Sequence, residues 1–335
     1  MMTSKLTNTY IEGMYKITVP TPFRVGPVNC YLLEGENLTL IDTGPRTEAA
    51  YNYLKDALQE HGYAVSDIER LVITHHHIDH LGLAGRIFEE SKAQVVCHTY
   101  CARYLDDQDA TYSYYLKFVN GIYREAGVPK RIIDTMENAK DWYDMFGSAP
   151  VKNIQKVDEG DTITMAGHDW HIYHTPGHAG DLITFYQPQT RILLASDHLI
   201  MKISSNPLLE PAPTVGETRP RRLIEYLEQL ERIADLDISI AYSGHGGEVR
   251  DVPALVQERV AFHSDRAASI LQLFDGEAYN LWEMTEKLFS HVGDDDKYLA
   301  LSEVLGHIDM LERDGKLTRQ YHDGVIFWQP SQPLN

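Results

Sequence analysis

The chain has 335 residues, and its 49 Asp and Glu against 30 Lys and Arg give a formal charge of −19 at pH 7. This excess of negative charge disfavours a broad nucleic-acid-binding surface, because it repels phosphate backbones. A hydrophobic content of 43% is typical of a globular protein, and no apolar run reaches the roughly 18 residues that a membrane span requires.

The first hundred residues alternate short strands with amphipathic helices. They begin without the apolar core and cleavage site of a secretory signal, and the whole chain has three cysteines, so we expect a cytoplasmic protein. Strands are predicted at 31–33, 38–41 and 71–73, and helices at 46–61 and 85–91. This alternation predicts a layered core of mixed α and β structure.

Residues 100–150 interrupt the alternation with a helical stretch that is rich in aromatic residues. Its first half contains Tyr112, Tyr114, Tyr115 and Phe118. Aromatic residues at helical spacing are typical of a helical subdomain that packs its own core. The other interpretation is a lid or wall over a substrate pocket to which these four side chains contribute, and both interpretations can hold together.

Strands return after this insertion, and the last part of the chain is helical. Strands are predicted at 162–165, 170–174, 182–185, 192–195 and 238–242, with a Pro-rich stretch at 206–213 and a helix at 219–233. Helices at 256–274, 281–289 and 299–313 then precede two strands at 316–320 and 325–328. Three helices followed by a hairpin predict a winged-helix-like module. We therefore divide the chain into a catalytic domain, 1–254, and a C-terminal domain, 255–335.

Histidine is clustered rather than scattered. The segment Thr74-His75-His76-His77-Ile78-Asp79-His80 follows directly on the predicted strand 71–73. Imidazole and carboxylate groups delivered at one point are the ligands that zinc and similar divalent ions prefer. Because alternate residues of an extended turn face the same side, His75 and His77 can bind one ion, and Asp79 and His80 can bind a second.

Three further candidate ligands stand where other predicted strands end. They are His178 in Thr175-Pro176-Gly177-His178, Asp197 in Ser196-Asp197-His198 and His245 in Gly244-His245-Gly246. The small residues beside them allow close approach to an ion. Together with the histidine-rich segment they predict one metal centre built from several loops.

Other polar residues near these motifs are candidates for supporting the ligands. Asp42 ends the predicted strand 38–41, and a carboxylate behind a metal-bound histidine fixes the tautomer of that histidine. His198 follows Asp197 and either holds a ligand in place or faces solvent. His76 is expected to point away from the ligands, because its neighbours on both sides occupy the ligand face.

These motifs resemble those of metallo-β-lactamase-fold hydrolases, of the branch that includes glyoxalase II, quorum-quenching lactonases and the β-lactamase-like protein 2 group. The resemblance begins at Leu40-Ile41-Asp42-Thr43-Gly44 and ends at Gly244-His245-Gly246. It implies an α+β fold, a four-layer αββα sandwich, to which the helical insertion and the winged-helix-like module are additions. Relatives have glycine where Ser196 precedes Asp197.

The resemblance also implies two divalent metal ions, zinc in the first place, with iron or manganese as alternatives. One ion takes His75, His77, His178 and the bridging Asp197, and the other takes Asp79, His80, Asp197 and His245. Two ions that share a carboxylate lower the pKa of a bridging water, so the predicted reaction is hydrolysis by a metal-bridging hydroxide. Asp79 is in addition the predicted catalytic proton acceptor.

The predicted substrate is a small molecule with an ester, thioester or lactone bond, because the aromatic insertion suits an acyl chain and the acidic chain suits polyanions poorly. Residues 299–312 resemble the winged-helix tail of the β-lactamase-like protein 2 group, some of which cleave RNA, so a phosphodiesterase or ribonuclease is an alternative. A persulfide dioxygenase with one iron keeps the same histidines and is another. The tail itself is acidic, with Asp294 to Asp296 in a row, which favours packing or homodimerisation over nucleic-acid binding.

Overall fold

The computed structural model describes residues 11–136, 139–205 and 207–332. Within these ranges the strands are β1 (Met14–Val19), β2 (Val28–Leu33), β3 (Thr39–Ile41), β4 (Arg70–Ile73), β5 (Gln94–His98), β6 (Ile154–Val157), β7 (Thr162–Met165), β8 (His168–His174), β9 (Ile183–Gln187), β10 (Ile192–Ser196), β11 (Ile240–Ser243), β12 (Tyr279–Asn280), β13 (Leu317–His322) and β14 (Val325–Pro330).

The helices of the same ranges are α1 (Glu48–Glu60), α2 (Ile78–Leu81), α3 (Ala84–Ser91), α4 (Ala102–Asp106), α5 (Gln108–Glu125), α6 (Lys130–Met136), α7 (Ala139–Phe146), α8 (Arg222–Ala234), α9 (Val252–Leu271), α10 (Leu281–Phe289) and α11 (Lys297–Arg313). None of these helices combines the length and the apolar character that crossing a bilayer would require.

The strands before α9 form two sheets. The first has the order β1-β2-β3-β4-β5-β6 and the second has the order β11-β10-β9-β8-β7. In the first sheet the pairs from β1 to β3 are antiparallel and those from β3 to β6 are parallel. In the second sheet only β10 and β11 form a parallel pair. The strands predicted from the sequence occur here, together with β1, β5 and β6, which the pattern of the sequence did not indicate.

The two sheets pack face to face and are covered by helices on their outer faces. Val72 of the first sheet belongs to the same buried apolar cluster as Trp170 and Phe185 of the second. Residues of α1 and α3 cover the outer face of the first sheet, and residues of α8 and α9 cover that of the second. The chain therefore has the four-layer αββα arrangement of an α+β fold, as the sequence analysis predicted.

The helical insertion and the C-terminal part of the chain share one apolar core. Tyr123 of α5 and Ile132 of α6 are buried in the same cluster as Met284 of α10 and Val304 of α11. The aromatic residues at helical spacing predicted an insertion that packs a core of its own. The structure differs because each of these helices has an apolar face, and the apolar faces of the insertion are buried against those of the C-terminal helices.

The C-terminal part follows the order α9, β12, α10, α11, β13, β14, and its three strands form a sheet in the order β12-β14-β13. The domain boundary predicted after residue 254 falls inside α9. Val256 of this helix packs beside α8, whereas Ile270 enters the core shared with the insertion. One helix thus joins the two parts, and the winged-helix-like assignment stays a prediction.

Candidate metal centre

The candidate ligands lie where strands of both sheets end at the same edge of the sandwich. His75 and His77 follow β4 of the first sheet, and the short helix α2 then carries Asp79 and His80. The second sheet supplies the others at the ends of β8, β10 and β11, namely His178, Asp197 and His245. The structure brings all seven predicted ligands into one cluster.

The ligand atoms form two adjoining groups with Asp197 between them. One atom each of His75, His77 and His178 lie within 4.8 Å of one another, and so do atoms of Asp79, His80 and His245. Oδ2 of Asp197 is 3.4 Å from Nε2 of His178, and Oδ1 is 3.4 Å from Nε2 of His80. The Asp197 carboxylate therefore faces both groups.

The separations within the cluster suit ligands around an ion better than direct hydrogen bonds. Nε2 of His245 is 3.3 Å from Oδ2 of Asp79 and 3.5 Å from Oδ2 of Asp197. Charge-assisted hydrogen bonds are shorter, about 2.7–2.9 Å, whereas two ligand atoms about 2.1 Å from a tetrahedral zinc ion are about 3.4 Å apart.

Several ligand atoms of the cluster are also buried without a hydrogen-bond partner among the described residues. They are Nε2 of His80, Nε2 of His178, Nε2 of His245 and Oδ1 of Asp197. Buried polar atoms without partners are costly unless an ion or a water satisfies them. The residues present therefore fit divalent metal ions.

Hydrogen bonds behind the ligands fix their orientation. Oδ2 of Asp42 is 2.8 Å from Nδ1 of His80, and the same carboxylate accepts hydrogen bonds from the backbone N–H and the hydroxyl of Thr74. Because an ionised carboxylate only accepts, Nδ1 of His80 carries a proton, and Nε2 is the nitrogen that faces the cluster. His245 is fixed in the same way, since its Nδ1 donates to the carbonyl of Pro27 at 2.9 Å.

Burial and neighbouring charges favour the metal-binding protonation states of several ligands. Burial, with the neighbouring histidines, lowers the pKa of His75 and of His77 well below the usual range. Burial opposes ionisation of Asp79, yet His80 and His245 outweigh it and lower the pKa of this carboxyl to about 2. At neutral pH, His75 and His77 are uncharged and Asp79 is ionised, which are the forms that bind metal.

Small or unusual residues make room at the cluster. A Cβ at Gly244 would overlap Oδ1 of Asp197 and would lie 2.9 Å from Cε1 of His80, so only glycine fits here. Ser196, the residue before Asp197, has a φ of +45°. Its hydroxyl lies 2.8 Å from the Thr74 hydroxyl, a hydrogen bond that holds this strained residue in place.

His198 lies beside the cluster rather than among the ligands. Its ring packs edge-on against Tyr226 of α8, with ring centroids 5.8 Å apart. Burial lowers the pKa of His198 to about 3, so the ring is neutral at ordinary pH. Its predicted role in holding a ligand stays a prediction.

The four aromatic residues predicted to line a substrate pocket all lie on α5. Tyr115 and Phe118 pack against the core shared with the C-terminal helices. Tyr112 stacks on Tyr143 of α7, with ring centroids 5.8 Å apart, and the Tyr114 hydroxyl donates to the carbonyl of Ala212 at 3.2 Å. These contacts tie the insertion to its neighbours, and the pocket role of the four residues stays a prediction.

A different group of aromatic residues lies beside the candidate ligands. Phe23 is on the loop that leads to Pro27, the hydrogen-bond partner of His245, and its ring centroid is 5.3 Å from that of Phe146 and 6.1 Å from that of Trp142. We call Phe23, Trp142 and Phe146 the aromatic rim. The sequence places the last two in the aromatic helical stretch but contains no local signal that brings Phe23 to them.

Helix α7, which carries Trp142 and Phe146 of the aromatic rim, ends against the segment that carries the candidate ligands from His75 to His80. The carbonyl of Phe146 would overlap a Cβ on Gly82, the residue after α2. Trp142 is 52% exposed and the neighbouring Met145 is 61% exposed. Two exposed apolar side chains therefore lie on a helix that ends at the residue after α2.

Sequence reasoning also missed a buried polar group behind the metal-binding segment. His76 points away from the ligands, as expected, and its Nδ1 lies 2.8 Å from Oδ1 of Asp181. On the other side of the same ring, Nε2 is 3.7 Å from Oε1 of Glu210, and Oε2 of Glu210 is 3.1 Å from Nη2 of Arg222. The residues come from distant parts of the chain, so no spacing in the sequence indicates this group.

A two-sheet sandwich with histidines and aspartates converging at one edge defines a metallo-hydrolase. The family model described as the metallo-beta-lactamase superfamily matches residues 23–245. The chain is 32% identical over 319 residues to the probable metallo-hydrolase YqjP of Bacillus subtilis, a match that covers 95% of this chain and 98% of that protein. The chain therefore belongs to the metallo-beta-lactamase superfamily and is a hydrolase of that superfamily.

Two further likenesses extend over the insertion and the C-terminal part. The solved structure of the metallo-beta-lactamase family protein TTHA1429 from Thermus thermophilus has a TM-score of 0.80 and 29% identity, and the match covers 96% of this chain and 100% of that one. The beta-lactamase-like protein 2 homolog of Drosophila melanogaster is 21% identical over 324 residues, covering 94% of this chain and 93% of that protein. The metallo-beta-lactamase superfamily expected from the motifs is thus confirmed, and the branch within it stays a prediction.

Proposed function

We propose that this protein is a hydrolase with two divalent metal ions, zinc in the first place, that cleaves a carboxylic ester, thioester or lactone. The observation that carries the proposal is the position of Asp197, with its two oxygens 3.4 Å from His178 and 3.4 Å from His80. One ion would be held by His75, His77, His178 and Asp197, and the other by Asp79, His80, Asp197 and His245.

Ions bound at these positions would supply an activated water as nucleophile and a Lewis acid for the carbonyl oxygen. The residues of the chain fix where that chemistry takes place. Asp79, whose low pKa keeps it ionised, accepts a hydrogen bond from the attacking water and so orients it. Asp42 and Pro27 hold His80 and His245 in the required tautomers.

The aromatic rim supports a substrate with an apolar acyl group. Trp142 and Met145 are each more than half exposed on α7, which ends where the carbonyl of Phe146 meets Gly82 just after α2, and clustered exposed apolar side chains are typical of binding surfaces. An acyl chain that lies against this rim would bring its carbonyl carbon to the candidate metal centre.

Electrostatics argue against a polyanionic substrate. Arg24, on the loop that carries Phe23, is paired with Asp296 at 2.5 Å, and Arg131 of α6 is paired with Asp294 at 2.9 Å. These acidic residues offset basic groups that a phosphate backbone would need, in a chain whose formal charge is −19. A phosphodiester is therefore the less favoured substrate.

The test is a hydrolysis screen with acyl thioesters, lactones and bis-p-nitrophenyl phosphate on one metal-loaded sample. We expect higher kcat/KM for the carbonyl substrates than for the phosphodiester, and a further increase with longer acyl chains. Faster turnover of the phosphodiester than of every carbonyl substrate would overturn the proposed substrate class. The same preparation, treated with a chelator and then given metal again, shows whether either activity depends on metal.

A further inference from the structure

His77 presents its two ring nitrogens to different surroundings. Nδ1 lies 3.1 Å from Nε2 of His75, so this nitrogen faces the candidate ligands. Nε2, on the other side of the ring, is buried and has no hydrogen-bond partner among the described residues. A neutral imidazole that binds an ion through Nδ1 carries its proton on Nε2. The metal-bound form of His77 would therefore have a buried donor that needs an acceptor.

Glu210 supplies an unused acceptor behind the same segment. Its Oε2 accepts from the backbone N–H of Gly180 at 2.9 Å and lies 3.1 Å from Nη2 of Arg222. Its Oε1 is buried and has no hydrogen-bond partner within the part of the chain that the structure describes, although Nε2 of His76 lies 3.7 Å away. One nitrogen of His77, one nitrogen of His76 and one oxygen of Glu210 lie within 4.8 Å of one another.

The surroundings favour a hydrogen bond over a further cation between these groups. The Arg222 guanidinium already lies against the Glu210 carboxylate, and a second positive charge there would be repelled. The other buried carboxylate nearby, Asp181, has Oδ1 2.8 Å from Nδ1 of His76, and its Oδ2 has no hydrogen-bond partner among the described residues. Glu210 is preferred because one of its oxygens lies within 4.8 Å of a nitrogen of His77.

We propose that Glu210 is a positioning residue for His77, whose Nε2–H donates a hydrogen bond to the Glu210 carboxylate while Nδ1 binds the ion. The carboxylate is itself held by Gly180 and Arg222, so it would fix the plane of the His77 ring and raise the basicity of Nδ1. The inference rests on the proposed function in one respect, namely that His77 is a metal ligand.

The path of the chain links this contact to the C-terminal part of the protein. The backbone N–H of Leu209, next to Glu210, donates to the Ser302 hydroxyl of α11 at 3.2 Å. The guanidinium of Arg103 donates to the carbonyl of Pro213 at 3.1 Å, on the other side of Glu210. The segment that carries Glu210 is therefore anchored on both sides, which makes the carboxylate a fixed support.

The test compares Glu210→Gln with the matched control Glu225→Gln. Glutamine keeps the shape of Glu210, but in either orientation its amide N–H faces a donor, at His77 on one side or at Gly180 on the other. Glu225 also pairs with Arg222, at 2.6 Å, so the control removes a charge from the same guanidinium. Cobalt(II) is the probe, and its affinity is measured by competition with a chelator.

We expect Glu210→Gln to weaken cobalt binding about 10- to 100-fold and to change the visible spectrum of the bound cobalt. The control, Glu225→Gln, is expected to match the wild type in both measurements. Glu210→Asp, which keeps the charge near Arg222 on a shorter side chain, is expected to show the same loss. Wild-type affinity and spectrum in Glu210→Gln, or an equal loss in Glu225→Gln, would overturn the inference while the proposed function stands. A wild-type protein that binds no cobalt would overturn both.

Discussion

The Asp42 carboxylate holds the His80 imidazole from the side opposite the candidate metal centre, with Oδ2 2.8 Å from Nδ1. Asp42 has a φ of +59°, a left-handed conformation that asparagine tolerates about as well as aspartate. Asp42→Asn therefore keeps the backbone and the shape of the side chain and changes only the hydrogen-bonding pattern.

We expect Asp42→Asn to lower the affinity for the ion held through His80 about 10- to 100-fold and to leave the affinity for the ion held through His75 and His77 unchanged. The reason is that the amide must turn an N–H toward either a Thr74 donor or the proton of His80. Stepwise zinc titration against a chelator separates the two ions. Equal affinities of both ions in the variant and the wild type would show that Asp42 does not fix the tautomer.

Gly244→Ala provides a steric test of the Asp197 position. Because the new Cβ would overlap Oδ1 of Asp197, we expect the carboxylate to move and both metal content and hydrolysis to fall. Gly247→Ala is the control, since a Cβ there would contact only the flexible end of Met201 at 3.2 Å. Full metal content in Gly244→Ala would mean that Asp197 need not occupy the described position.

Trp142→Ala tests the aromatic rim as the binding surface for an acyl chain. We expect KM for a long-chain thioester to rise about tenfold, equivalent to about 1.4 kcal/mol, with little change for an acetyl thioester and none in metal content. The control is Tyr53→Ala, because Tyr53 is an aromatic residue of α1 whose side chain is 49% exposed. An unchanged preference for chain length would remove the rim from the proposal.

The buried pair of His263 and His307 predicts how stability changes with pH. Nδ1 of His263 is 3.1 Å from Nε2 of His307, and burial lowers the pKa of His263 to about 3 and that of His307 to about 4. Both values lie below about 6.5, the value in an unfolded chain, so the unfolded state takes up protons first as the pH falls. The stability that the neutral pair contributes is complete above about pH 6.5 and is lost toward pH 4.

Across that interval, each histidine of the pair lowers the free energy of unfolding by about 1.4 kcal/mol for every unit by which the pH falls. Urea unfolding of the metal-free protein between pH 7 and pH 5 measures the slope. We expect His307→Gln to give a shallower slope than the wild type, because one of the two sites of proton uptake is gone. Identical slopes would show that the pair is not neutral in the folded protein.

The sequence predicted the elements with strong local signals and missed those that depend on pairing. The predicted spans 162–165 and 281–289 coincide with β7 and α10, since both have clear apolar periodicity between turns. The edge strand β6 was missed because Gln155 and Lys156 are exposed, which leaves only its two end residues as an apolar signal. Its partner β5 was missed although its apolar residues are buried.

Candidate ligands could be picked from the sequence because each lies in a short segment that begins where a strand ends, and strand ends meet at sheet edges. Glu210 and Phe23 could not, because their positions depend on the paths of loops. The segment of Glu210 is held by the Ser302 hydroxyl, and Phe23 by contact with α7. Neither contact can be predicted from the spacing of residues in the sequence.

The central claim, that two ions share Asp197 in a hydrolytic site, is tested most directly by elemental analysis of purified wild-type and Asp197→Ala protein, with thioester hydrolysis measured on the same samples. We expect two ions per wild-type chain, and a loss of both bound metal and turnover in the variant. An Asp197→Ala protein that keeps both ions and full turnover would contradict the account.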